Sequence, residues 1–119
     1  MNFSFRDRYT FEKRVTECDR LLKKNPNHIP LVAEKFSGDK YLPSFNKTKY
    51  LLKPNTTIGQ LAFMIRTSIY LKPSMALFLF INNSIPPINL ELGDIYQQYK
   101  DPDGFLYIVV TSEATFGSE

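Results

Sequence analysis

Two stretches of this chain, Met75–Ile81 and Phe105–Thr111, are apolar at nearly every successive position. A strand sends alternate side chains to opposite faces, so such runs need cover on both sides of a sheet. They are expected side by side in the middle of a sheet, with other elements layered above and below. A chain of 119 residues with ten Phe and seven Tyr has the length and the apolar content for one domain with its own core.

The covering elements can be read in order. Ser4–Lys24 is helical: Phe11, Val15, Cys18 and Leu22 recur at steps of four, three and four and mark one face. Asn25-Pro26-Asn27 ends it, because proline cannot continue a helix. His28–Phe36 is rich in β-formers, with Ile29, Leu31 and Ala33 alternating against Pro30, Val32 and Glu34. Ser37–Asn46 is a polar loop, and Lys47–Lys53 a second strand stopped by Pro54-Asn55. Thr57 and Gln60 form a capping box that opens a helix with Ile58, Leu61, Ala62, Ile65 and Ile69 inward. Lys72-Pro73 closes that helix, and Asn82-Asn83 is a turn after the first apolar run. A short edge strand is expected near Ser84-Ile85, halted by Pro86-Pro87. Leu92–Tyr99 is a short helix with Leu92, Ile95 and Tyr99 inward, and Asp101-Pro102-Asp103-Gly104 a turn.

Joining the first and last strands in parallel requires a crossover, which the intervening helix supplies. The pattern is an α+β, β-grasp (ubiquitin-like) fold: a four-stranded mixed sheet on a long helix, with an N-terminal two-helix extension over the other face. The expected division is 1–25 for the N-terminal helical extension, 26–112 for the β-grasp core and 113–119 for a flexible C-terminal tail.

Catalytic chemistry finds little support. Cys18 and His28 are single representatives of their types. Cys18 lies on the apolar helical face, where a packed thiol is expected, and no third group completes a triad. The five glycines are too scattered for a phosphate-cradling loop. Asp101-x-Asp103-Gly104 has its glycine two positions early for a calcium loop and lacks the closing glutamate. No cysteine cluster offers a metal site, and no cofactor is expected. The aromatics fall in core patterns, which argues against a nucleic-acid surface.

The longest apolar run spans seven residues, far short of the about 20 that a membrane helix needs. The N-terminus carries charges where a signal peptide needs an apolar stretch. With one cysteine, this is the profile of a cytoplasmic protein. Residues 1–53 hold twelve Lys/Arg against six Asp/Glu, whereas residues 54–119 hold three against six. The basic half is either a solvated face or a dock for acidic partners.

Two features could carry function. Gly117 follows the last strand, and a residue without Cβ lets an extended tail thread a narrow enzyme channel. On spacing alone the signal is weak, since tails often contain glycine. Lys47–Lys53 follows a polar loop and is expected at a sheet edge, where free backbone groups can take an added peptide strand or merely be guarded by lysines.

Taken together, Phe11-Glu12-Lys13-Arg14, Ile29-Pro30 with Glu34-Lys35, Lys49-Tyr50-Leu51, Ile58-Gly59-Gln60-Leu61, Ile65-Arg66, Asn82-Asn83-x-Ile85-Pro86-Pro87, Gly93-x-Ile95-Tyr96 and Phe105–Ile108 before Phe116-Gly117 closely resemble the autophagy ubiquitin-like modifiers of the GABARAP and microtubule-associated light chain type. The resemblance runs from Met1 to Gly117. It implies that a processing cysteine protease cuts between Gly117 and Ser118, after Phe116-Gly117. Activating and conjugating enzymes would then join Gly117 to phosphatidylethanolamine, placing the protein on the autophagosome membrane when lipidated. It also implies that cargo receptors dock aromatic-x-x-aliphatic motifs on the second strand. The aromatic pocket would be Glu17, Leu21, Pro30, Lys49, Leu51 and Phe105; the aliphatic pocket Tyr50, Leu52, Leu61 and Met64, with Ile65; and Lys47 and His28 would meet acidic flanks. Relatives often carry arginine at the position of His28 and apolar residues at those of Lys53 and Thr56. Phe3 and Phe5 serve either membrane contact or packing of the N-terminal piece. The alternative is a non-conjugated binding module that docks peptide motifs or tubulin.

Overall fold

The structure, a computed structural model, describes residues 4–45 and 47–113. The chain runs α1 (Phe5–Arg8), α2 (Phe11–Lys24), β1 (Ile29–Lys35), β2 (Lys49–Leu52), α3 (Ile58–Ser68), β3 (Phe78–Phe80), α4 (Leu92–Tyr99) and β4 (Leu106–Thr111). The sheet order is β2-β1-β4-β3, with β1 and β4 parallel and both outer pairs antiparallel. This is the mixed four-stranded sheet expected.

Local signals set the helix ends. The Thr57 hydroxyl accepts from the Gln60 N–H at 3.2 Å while the Gln60 carbonyl oxygen accepts from the Thr57 N–H at 2.9 Å, closing the capping box of α3. Ser4 and Asp7 do the same for α1. Tyr9 is extended, and Thr10 then caps α2 through the Lys13 N–H, so the N-terminal stretch is two separate helices.

Two layers cover the sheet. On one face, Ile29, Leu31 and Ala33 of β1 and Leu106, Ile108 and Val110 of β4 pack with Ile58, Leu61 and Ile65 of α3 and Leu92 and Ile95 of α4. On the other, Val32 and Phe105 pack with Phe5 and Cys18, flanked by Leu21, Leu22 and Tyr107. The Phe5 N–H donates to the Glu34 carboxylate at 2.7 Å, and Arg14 reaches the buried Asp103 at 2.9 Å. Cys18 is a packed thiol pushed up to about 11 by burial. Gly104 adopts φ +99, and a Cβ there would stand 2.6 Å from the Cys18 sulfur. Only glycine satisfies both the backbone and the contact.

Four expectations need correction. Met75–Ile81 is not a central strand: only Phe78–Phe80 pairs, and it forms an edge of the sheet. Met75 instead closes a turn on the Lys72 carbonyl. The central partner of β4 is β1, whose Pro30 and Val32 are buried because α2 covers the face that simple alternation would leave to water. Ser84 makes only a bridge to Ile81, across Asn82 and Asn83 at φ 51 and 65, the positive pair that a type I′ turn requires. Tyr99 is 44% exposed, and Tyr96 takes its place, donating its hydroxyl to the Gly104 carbonyl at 2.7 Å. Leu92, Ile95 and Tyr96 fill the i, i+3 and i+4 places of the stripe, and Tyr99, at i+7, is the last residue of α4 and stays exposed at its end. Phe11 is exposed in the first turn of α2, while of the expected face Cys18 is buried and Val15 and Leu22 are half-buried.

Candidate functional site

β2 pairs only with β1, leaving its outer edge without a strand partner among the described residues. The Ala33 N–H donates to the Thr48 carbonyl, which makes Ala33–Thr48 a hydrogen-bonded pair. Pairs alternate in an antiparallel ladder, so Lys49 and Leu51 fall at non-hydrogen-bonded positions and turn their backbone N–H and C=O to the open edge. Pro30 lies opposite Leu51, at a pair where its missing N–H breaks no β1–β2 bond.

The same alternation divides the side chains. Lys49 and Leu51 stand on the face of Val32 and Pro30, under α2. Tyr50 and Leu52 stand on the face of Leu31 and Ile29, against α3. An extended peptide laid on this edge would have one group on either side of it.

The first group has a buried floor of Pro30 and Phe105, half-buried walls of Leu21 and Leu51, and a charged rim. Rim and wall meet in an ion network: Glu17 accepts from Lys49 at 2.7 Å and from Arg20 at 2.9 and 3.0 Å. The hydrogen bonds from Arg20 and Lys49 hold the Glu17 carboxyl down at about 2. The Lys49 ammonium also lies 6.0 Å from the Phe5 ring. The second group has a floor of Leu61, Ile65 and Tyr50, a half-buried Leu52, and Met64 exposed at the rim.

Ten of the eleven expected pocket residues thus lie on β2, pair with it, bond to it or pack in the clusters on its two faces, and Met64 is exposed on α3, three residues along from Leu61. The two residues expected to meet acidic flanks do not gather with each other. Lys47 lies 4.8 Å above the Tyr50 ring, whereas His28 precedes Ile29, the partner of Leu52, at the opposite end of β2. The buried Nδ1 of His28 has no hydrogen-bond partner. Lys53 is exposed and Thr56 half-buried beyond Leu52. Phe116 and Gly117 lie outside the described residues.

Phe5 and Leu22, expected respectively as one option for packing the N-terminal piece and as part of the inward helical face, also belong to the first group's core, although neither was assigned to the peptide site. The alternation of Phe5 with charged residues hides it, and only its capped helix turns it onto Phe105, ring centroids 5.3 Å apart. Two concavities, about 550 and 220 Å³, lie around β3 and α4, and no β2 residue lines either. Among the described residues no His, Cys, Asp and Glu group is arranged to hold a metal ion, and no helix is long and apolar enough to cross a membrane.

Known proteins agree with this architecture. The family model for the autophagy protein Atg8, ubiquitin-like, matches residues 13–117. The chain is 42% identical to autophagy-related protein 8 of Vanderwaltozyma polyspora over 99% of both chains. It is 40% identical to that of Saccharomyces cerevisiae over 98% of this chain and 99% of the relative, and 41% identical to autophagy-related protein 8D of Oryza sativa over 95% and 96%. Identity at this level along the whole chain, on a β-grasp sheet with two N-terminal helices, makes the protein an autophagy-related ubiquitin-like protein of the Atg8 family.

Proposed function

We propose that this protein is a modifier joined through Gly117 to phosphatidylethanolamine and that its β2 edge recruits cargo receptors by taking an aromatic-x-x-aliphatic peptide as a fifth strand. It works in this reading by attachment and binding, not by catalysis, moving from the cytoplasm to the autophagosome membrane.

The observation that supports peptide binding most is the open edge at Lys49 and Leu51 with an apolar group on each side. Residues three apart on an extended peptide point to opposite faces, so one anchor would go to each group. Each anchor contributes about 1.5–3 kcal/mol, and ordering the peptide offsets part of it. An affinity on the order of micromolar follows. Lys49 and Lys47 would meet acids beside the motif, adding roughly 0.2–1 kcal/mol each and fading with salt.

The family match extending to residue 117 supports attachment there. A processing cysteine protease would hydrolyse the Gly117–Ser118 bond. Activating and conjugating enzymes would then form an amide between the Gly117 carboxyl and the headgroup amine. Two acyl chains make a stable anchor where one would not.

The test is reconstitution with the family's protease, conjugation enzymes and phosphatidylethanolamine liposomes. The expected result is loss of Ser118-Glu119 and a mobility shift that phospholipase D reverses, both absent in Gly117→Ala. An intact tail after protease treatment would leave the binding-only reading, in which motifs or tubulin dock on a protein that is never lipidated.

A further inference from the structure

The end of β4 is held by a residue far away in sequence. Asp39, in the connection between β1 and β2, collects five donors on one carboxylate. Its Oδ1 accepts from the backbone N–H groups of Tyr41 and Leu42, each at 2.9 Å. Its Oδ2 accepts from the Ser112 N–H at 2.6 Å, the Ser112 hydroxyl at 2.7 Å and the Thr111 hydroxyl at 3.0 Å. Burial alone would raise this carboxyl, but the donors from Ser112, Leu42 and Tyr41 outweigh it and hold the group charged far into acid.

Both sides of this junction are firm. Leu42 is buried in the core beneath α3, and its carbonyl accepts from the Lys35 ammonium at 3.3 Å. Thr111 is 1% exposed, and its hydroxyl also accepts from the Glu113 N–H at 3.2 Å. Ser112, however, lies beyond both ladders. The pairing of β4 with β1 ends at Val110 and with β3 at Thr111. A residue past the last ladder rung frays unless something ties it down.

We propose that Asp39 is a positioning residue for the C-terminal segment, pinning the chain at Ser112 so that Gly117 is presented from one fixed point of the domain. This rests on the reading of Gly117 as the residue that is processed and conjugated. Gly117 is five residues past Ser112, so it stays within about 18 Å of that anchor, at most about 3.5 Å per residue. Without Asp39 the anchor retreats to the ladder end at Thr111. An enzyme that threads the tail then orders more chain as it binds. That burden falls on KM and leaves the bond-breaking step alone.

The experiment follows release of Ser118-Glu119 from the full chain by the family's protease, together with amide hydrogen exchange, for wild type, Asp39→Ala and Ser112→Ala. In Asp39→Ala, exchange protection at Ser112 disappears and KM rises about fivefold at constant kcat, the factor for ordering one further residue. Ser112→Ala, which keeps the backbone donor, raises KM about twofold, in proportion to the single hydroxyl bond lost. Affinity for a peptide on β2 stays unchanged in Ser112→Ala, which keeps the bonds from Tyr41 and Leu42 to Asp39 in the connection leading to β2. A wild type that is cut normally and an Asp39→Ala protein with lost protection but unaltered KM would overturn the positioning role alone. So would retained protection at Ser112 in Asp39→Ala. If Asp39→Ala does not fold, Ser112→Ala decides: a raised KM supports the role and an unaltered KM overturns it. A wild type left uncut at Gly117 sinks the proposed function first and this role with it.

Discussion

The two faces of the sheet are built differently. The α3–α4 face is a broad layer of apolar side chains, with Leu61, Ile65, Leu92 and Leu106 all at 0% exposure. The α1–α2 face has a small aromatic core, Phe5 against Phe105, and is stitched at its margins by charge. There Arg14 pairs with Asp103, whose carboxylate also accepts the Tyr107 hydroxyl and the Phe105 N–H, and Arg6 pairs with Asp101. Burial, then the bond to Asp103, pushes Tyr107 up to about 12, so the hydroxyl stays a donor across the physiological range. An apolar layer excludes water whatever the detail of its contacts, whereas an ion-paired layer depends on particular partners remaining in place. The first face is built to hold the domain together. The second attaches a pair of helices to it and leaves half-buried side chains beside β2.

The comparison can be broken from its strong side first. Ile65→Ala should destabilise the whole domain by about 2–5 kcal/mol, seen as a lower denaturant midpoint with uniform loss of exchange protection. Protection lost only in α3 would contradict the view of that face as one core. Asp103→Ala should cost about 3 kcal/mol, because it strands the Arg14 guanidinium, 13% exposed, without its counter-charge. The loss should concentrate in α1 and α2, with β1 and β4 amides spared. Uniform loss would mean the second face is as integral as the first.

Gly104→Ala adds a methyl against the Cys18 sulfur at an unfavourable φ, and about 1–3 kcal/mol should be lost. Adding Cys18→Ala should restore part of it, the part due to the clash, leaving the backbone term. The smallest effect belongs to the rim. Glu17→Gln frees Lys49 for an acidic flank, and peptide affinity should rise by a free energy of roughly 0.2–1 kcal/mol, less in high salt. The Glu17 carboxyl sits at about 2 in the folded chain against an ordinary 4.5. Its contribution to stability is therefore present above about pH 4.5 and fades as pH falls toward 2. Acid titration of wild type against Glu17→Gln should show the two stabilities converging across that window.

Much of the fold is legible in short stretches. The Thr57–Gln60 box and the Leu92–Tyr99 helix depend on residues within a turn or two of one another, and the structure has them where the pattern puts them; α3, however, already ends at Ser68, with Tyr70 at φ 54, ahead of the expected stop at Lys72-Pro73. The alternation of Lys49–Leu52 is equally local, and it assigns each side chain to a face once β2 is known to pair with β1. Edge and centre are not local. The apolar run ending in β3 looks more buried than β1, yet β1 is central because helices from both ends of the chain close over it. The acidic-flank residues show the same limit, since Lys47 and His28 are both expected to meet acids and the ladder sends them to opposite ends of β2.

What the sequence determined by itself was the set of elements, their caps and the side-chain periodicity. These follow from backbone preferences and from hydrogen bonds between residues three or four apart. Tertiary structure alone decided that Asp39 meets Ser112 and that Arg14 meets Asp103, pairs 73 and 89 residues apart. A carboxylate chooses its donors by distance in space, and that distance exists only once the sheet has brought the two ends of the chain together.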